Sequence, residues 1–169
     1  DKSRFGKVFH YFPFSKAIEK NQLADYKVII IGIDKQSIKE MIEKRELVSF
    51  SDDNLTDSKS LANQIGFIKA LNDYNLRKII TFHGRVKKSK DFSEIIPKTF
   101  AWIKPKFKPN QKLITGFVQG KMSASDRLKK IKILKESKTT EVCVLSNARC
   151  LGEGVDVPSL DAVSFIDPK

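Results

Sequence analysis

KLITGFVQGKMSASDRLKKIKILKESKTTEVCVLS, residues 112–146, decides how the chain folds. Its two ends, KLITGFV (112–118) and EVCVLS (141–146), carry apolar and β-branched residues on consecutive positions rather than alternate ones. Strands with that pattern are buried on both faces, as in a parallel sheet covered by helices. The middle, SASDRLKKIKILKESK (123–138), changes period. Ser123 is placed to cap a helix, with Asp126 three residues later, and Leu128, Ile131 and Leu134 form the expected apolar side with lysines facing out. Strand, helix and strand at this spacing predict two parallel strands joined by a right-handed crossover.

The same alternation extends outward. YKVIIIGI (26–33), RKIITF (77–82) and LDAVSFID (160–167) read as further strands. Residues 58–75 place Leu61, Ile65, Ile68 and Leu71 on one helical stripe, and a helix is expected from Ser89 to Ile96, with weaker ones over 15–22 and 35–46. PKTFAWIKPKFKPNQ (97–111), with three prolines and four lysines, reads as a loop or insertion. The pattern predicts a three-layer α/β domain with a mostly parallel central sheet flanked by helices. Residues 26–169 form that domain in this reading, and residues 1–25 form a leading extension packing on it.

Composition narrows the function classes. The chain has 169 residues, 40% of them hydrophobic, enough to bury a core. No stretch approaches the roughly 18 apolar residues of a membrane span, and DKSRFGKVFHYF lacks the layout of a secretion signal. The opening Asp-Lys and closing Asp-Pro-Lys suggest a piece of a longer polypeptide. Two cysteines, Cys143 and Cys150, with His10 and His83 remote from them, predict reduced thiols in a cytoplasmic protein and no metal site. The net charge of +12 is unevenly placed. Residues 78–138 hold 17 Lys and Arg against 4 Asp and Glu, and the remainder holds 15 against 16. Excess basic charge in one segment points to a polyanion, nucleic acid above all.

Ligands of open parallel sheets bind beyond the carboxyl ends of the strands, and three exits have suitable chemistry. His83, Gly84 and Arg85 follow RKIITF and can hydrogen-bond phosphate. Gly120 and Lys121 follow KLITGFV and precede the start of the 123–138 helix, whose free N–H groups favour an anion. After EVCVLS comes NARCLGEGVDVP (147–158), in which Gly152 and Gly154 permit unusual backbone angles and Asp156 is an acceptor for ribose hydroxyls or a basic side chain. No G-x-x-x-x-G-K-[ST] loop, G-x-G-x-x-G fingerprint or nucleophile arrangement is present, so the chain cannot assemble a complete ATPase site.

In order, IITFHGRV, VQGKMSASDR and VLSNARCLGEGVDVPSLDAVSFIDPK resemble the second RecA-like domain of superfamily-two helicases and translocases. The nearest branch is the DEAD/DEAH-related one that includes the motor subunits of restriction systems. The likeness covers roughly residues 77–169, and residues 5–31 resemble the lead-in to that domain. It implies that His83, Gly84, Arg85, Gly120, Lys121, Asn147, Ala148 and Arg149 lie along the nucleic-acid track. It also implies that Gly154 and Asp156, with Glu153 beside them, meet ATP between two RecA-like domains. The family's Gln-x-x-Gly-Arg-x-x-Arg helix would follow Lys169, and the phosphate loop and Mg²⁺-holding acidic motif belong to a first RecA-like domain. The chain alone is therefore expected to lack ATPase activity, and DNA is the expected partner. A non-catalytic basic α/β module that binds nucleic acid or an acidic protein is the alternative. A dinucleotide or nucleotide-sugar enzyme is disfavoured by the missing phosphate fingerprint.

Overall fold

The computed structural model describes residues 4, 6–8, 10–32, 58–148, 150–151 and 160–166. The chain divides into two compact units, Asp1–Ile30 and Ile31–Lys169. In the first, helix α1 (Phe14–Glu19) starts after Pro13 and stops at Asn21, whose φ of 54° is left-handed. The Asn21 N–H donates to Ile18 O and the Gln22 N–H to Ala17 O, which satisfies carbonyls that a helix end leaves open. Residues 26–32, expected to begin a strand, form none. Tyr26, Val28 and Ile30 are exposed there. A β-branched run becomes a strand only where a neighbour pairs its N–H and C=O groups. The helix expected over 35–46 lies outside the described residues.

The second unit contains helix α2 (Ser58–Asp73), β1 (Lys78–Phe82), α3 (Val86–Trp102), a 3₁₀ turn (Pro105–Phe107), β2 (Lys112–Gln119), α4 (Ala124–Lys135), β3 (Glu141–Ala148) and β4 (Ala162–Phe165). The four described strands form one sheet in the order β2-β3-β1-β4, and every pairing is parallel. Helix α2 ends by the same device as α1. Asn75 is left-handed at φ 51°, with Asn75 N–H to Asn72 O and Leu76 N–H to Leu71 O.

Both faces of the sheet are apolar, as the consecutive hydrophobic positions require. Ile79, Val142 and Val144 pack on one side with Ile65, Ile68 and Leu71 of α2 and Phe92 and Ile96 of α3. Ile80, Cys143 and Leu145 pack on the other with Ile131 and Leu134 of α4. Full burial of one such side chain, Ile68 for example, is worth about 1.5–3 kcal/mol.

Two local expectations are corrected. Residues 97–102 are not loop: α3 continues through Pro97, although proline removes a helical N–H and crowds the preceding turn at a cost of about 3 kcal/mol. Ile96 and Thr99 are fully buried, and the Thr99 hydroxyl donates to Gln64 of α2, so tertiary packing outweighs the proline. In α4, Leu128 is 65% exposed. The buried stripe runs through Ile131 and Leu134 with half-buried Arg127, a spacing closer to 3.6 residues per turn than 128, 131 and 134.

Candidate nucleic-acid interface

Because all four strands are parallel, their exits share one edge. The register aligns Phe82 with Asn147 and Asn147 with Val118, so His83–Arg85, Asn147–Ala148 and Gly120–Lys121 leave three adjacent strands side by side. The predicted track residues that the structure describes are thus brought together. Arg149, Glu153, Gly154 and Asp156 lie outside the described residues.

Within this row the side chains divide by direction. Ile79, Thr81 and His83 continue one face of β1, beneath α3, and His83 is buried. Its Nε2 lies 3.0 Å from the Thr81 hydroxyl, and its ring packs tilted on Phe92 at 4.9 Å. The Thr81 hydroxyl in turn donates to Ser146 Oγ at 3.0 Å. Asn147 is fully buried and ties two exits together. Its Nδ2 donates to Thr81 O at 3.1 Å, its backbone O accepts from the His83 N–H at 3.0 Å, and its Oδ1 accepts from the Cys150 N–H at 3.5 Å. His83 and Asn147 therefore hold the loops from behind and face the interior. Ala148 is buried as well.

What faces solvent is Arg85, Lys87, Lys88 and Lys121. Arg85 is the N-cap of α3 in extended conformation, with no side-chain cap bond and no acidic residue in the first turn. A helix start without a cap leaves N–H groups open and a positive dipole end, which suits a phosphate oxygen. The start of α4 differs. Ser123 Oγ accepts from the Asp126 N–H at 3.1 Å and donates to Asp126 Oδ2 at 2.8 Å, and Lys129 lies 3.5 Å from Oδ1. The Ser123 hydroxyl, then Lys129, hold the Asp126 carboxyl below the usual carboxylate range. A carboxylate already occupies the seat expected beside Lys121, so α3 is the better anion site. A Cβ at Gly84 or Gly120 would meet no atom within 4 Å, so the domain's own packing demands neither glycine.

A cavity of about 70 Å³ lies beside His83, bounded by Asn63, Gln64, Lys88, Asp91 and Phe92 among others. The Asp91 carboxylate in its wall disfavours phosphate there. Burial pushes the Cys143 and Cys150 thiols up, away from nucleophilic thiolate. No group of three metal-ligating side chains occurs among the described residues, and no helix among them is long and apolar enough to cross a membrane.

Thr81, Ser146, Lys87 and Lys88 were not singled out by motif. The first two had a signal: IITFH and VLSN turn polar at positions that lie in register, Thr81 opposite Ser146. Lys87 and Lys88 gain meaning only once α3 is known to begin at Val86.

No protein-family model matches the chain, and no curated protein matches it significantly. Among solved structures it is similar to the ATP-dependent Type ISP restriction-modification enzyme LlaBIII, bound to DNA. The TM-score is 0.82 at 24% identity, over 100% of this chain and 11% of that one. It is similar also to the Sulfolobus solfataricus SWI2/SNF2 ATPase core in complex with dsDNA, at TM-score 0.50 and 17% identity, over 80% of this chain and 28% of that one. The chain thus spans a small part of either protein's length. With an all-parallel β2-β3-β1-β4 sheet between α2 and α3 on one face and α4 on the other, it has a three-layer RecA-like α/β fold, like the matching parts of those structures.

Proposed function

We propose that the chain is the C-terminal motor domain of an ATP-dependent DNA helicase or translocase, of the kind found in restriction systems, working in the cytoplasm. One observation carries the reading. Three neighbouring strand exits stand in one row, and the helix leaving the β1 exit opens with Arg85, Lys87 and Lys88 and no acid. In this reading Arg85 and Lys121 bind successive phosphates of one strand, with Arg149 beside them. Gly84 and Gly120 leave room for the backbone to approach. Contacts of this kind are tolerant of sequence and weaken steeply with salt. That both structural relatives are DNA complexes favours DNA over RNA.

Gly154 and Asp156, with Glu153, would meet ATP between this domain and a first RecA-like domain of the same polypeptide. At the β1 exit the exposed groups are guanidinium, ammonium and N–H, which suit phosphate oxygens. By the resemblance Mg²⁺ would be held in the first domain, where it would neutralise phosphate charge during hydrolysis. Asn147 gives the two sites a physical link, since it bonds the β1 exit through the His83 N–H and the β3 exit through the Cys150 N–H.

The test is DNA-stimulated ATP hydrolysis by the intact protein. Arg85→Ala should weaken stimulation by DNA while leaving ATP binding intact. Metal-dependent hydrolysis by the 169-residue chain alone would overturn the assignment of half a site.

A further inference from the structure

A second group of cations lies at the opposite edge of the sheet, where the strands begin. Helix α2 ends there, α3 ends there, and Lys112 opens β2. From Lys98 to Lys112 the chain has five lysines and no acidic residue. Lys98, Lys104, Lys106 and Lys112 are exposed, as is Lys69 of α2. The structure draws two of these together: the Lys69 ammonium lies 5.7 Å from the centre of the Phe107 ring and the Lys106 ammonium 4.6 Å from it.

Two ammonium groups over one ring gain cation–π attraction and lose to mutual repulsion. Two acids at the same edge face the backbone: Asp161 accepts from the Arg77 and Lys78 N–H groups at 2.7 and 2.9 Å, and Glu141 from the Lys138 N–H at 3.0 Å, while Asp73 ends α2 exposed and Glu136 pairs with Lys132 at 3.4 Å. These lysines come from α2, α3, the 3₁₀ turn and β2, at the edge where the strands begin. Several single-point ammonium donors at one edge suit the repeated charges of a phosphate backbone, whereas buried bidentate pairing would call for arginine.

We propose that this amino-terminal edge is a second nucleic-acid surface, which holds the backbone of a DNA duplex on the side of the sheet remote from the strand exits. The surface is separate from the carboxyl edge. Its role rests on the motor reading: it would keep the domain on duplex DNA while the other edge releases.

The test compares the 169-residue chain with a Lys98→Ala, Lys106→Ala, Lys112→Ala variant, titrated with a mixed-sequence DNA duplex. Both proteins also carry Arg85→Ala and Lys87→Ala, so that the carboxyl edge contributes equally. The triple change should lower the slope of log K against log salt by about 2 to 3 and cut affinity at least about tenfold at low salt. An unchanged slope would overturn the proposal. Displacement of the duplex by polyglutamate at equal charge concentration would also overturn it, in favour of an acidic protein partner. Lysine acylation of the unmutated chain gives a reading that needs no folded variant. Lys98, Lys106 and Lys112 should be protected when duplex is bound, and equal labelling with and without duplex would contradict the surface.

Discussion

Helices α3 and α4 both begin at the carboxyl edge of the same sheet with the same dipole, yet only one start is left open. Ser123 and Asp126 close the start of α4 with their own oxygen atoms, whereas α3 follows Arg85 with no side-chain cap and a basic first turn. A closed start stabilises the domain, and an open one is available to an anion. The contrast shows that a helix N-terminus at a ligand edge becomes a site through what its own first residues leave undone.

The strongest way to break this contrast is to release the loop that leads into α3. Asn147→Ala would remove its side-chain bonds to Thr81 O in the interior and to the half-buried Cys150 N–H, at about 0.5–1.5 kcal/mol for each. We expect a loss of about 1–3 kcal/mol in denaturant unfolding. Thr81→Val takes a bond from the buried Ser146 and His83 side chains, at a comparable cost, but keeps the Asn147 bonds to both exits. Exchange of the Cys150 N–H should quicken in Asn147→Ala and not in Thr81→Val, and equal exchange would mean that Asn147 has no special place between the exits.

The next effect separates binding from stability at the two helix starts. Ser123→Ala should destabilise the domain by about 1 kcal/mol and leave affinity for single-stranded DNA unchanged. It should also let the Asp126 carboxyl rise toward its ordinary range, because the Ser123 hydroxyl is the first cause of its lowering. The folded-state value lies below the ordinary one, so stability from Asp126 is present above the ordinary carboxylate range. It is lost as pH falls through the lowered value, and a carboxyl titration by NMR would follow it. A Ser123 variant that binds DNA more weakly would place α4 in the track and erase the contrast.

The smallest effect comes from inside α3. Ser89 Oγ is the one buried side-chain polar atom without a hydrogen-bond partner among the described residues. Ser89→Ala should be neutral or slightly stabilising in a thermal melt, within about 1 kcal/mol. A marked loss would show that the hydroxyl has a role at the start of this helix.

Much of this was legible in the sequence because the signals were local. Consecutive β-branched residues marked β1, β2 and β3, and Ser123 with Asp126 marked the start of α4 down to its cap. Failures came where a neighbour decides. VIII at 28–31 has strand propensity, yet none of the described strands pairs with it, and Pro97 sits in a helix because Ile96 and Thr99 are buried around it. The row of strand exits was legible too, but not which way each side chain points. His83 follows the alternation of Ile79 and Thr81 into the interior, so its polarity supports the site from behind. The basic charge was read as one segment. The fold divides it between opposite edges, because Lys98–Lys112 lie where strands start and Arg85–Lys88 where one ends.

The salt dependence of single-stranded DNA binding, measured on the chain and on Arg85→Ala with Lys87→Ala, tests the central claim most directly. The account predicts affinity that falls steeply between about 50 and 200 mM salt, with the slope reduced by about 1 to 2 in the variant. Affinity that holds constant across that range, or a slope the variant leaves untouched, would contradict a phosphate track at the start of α3.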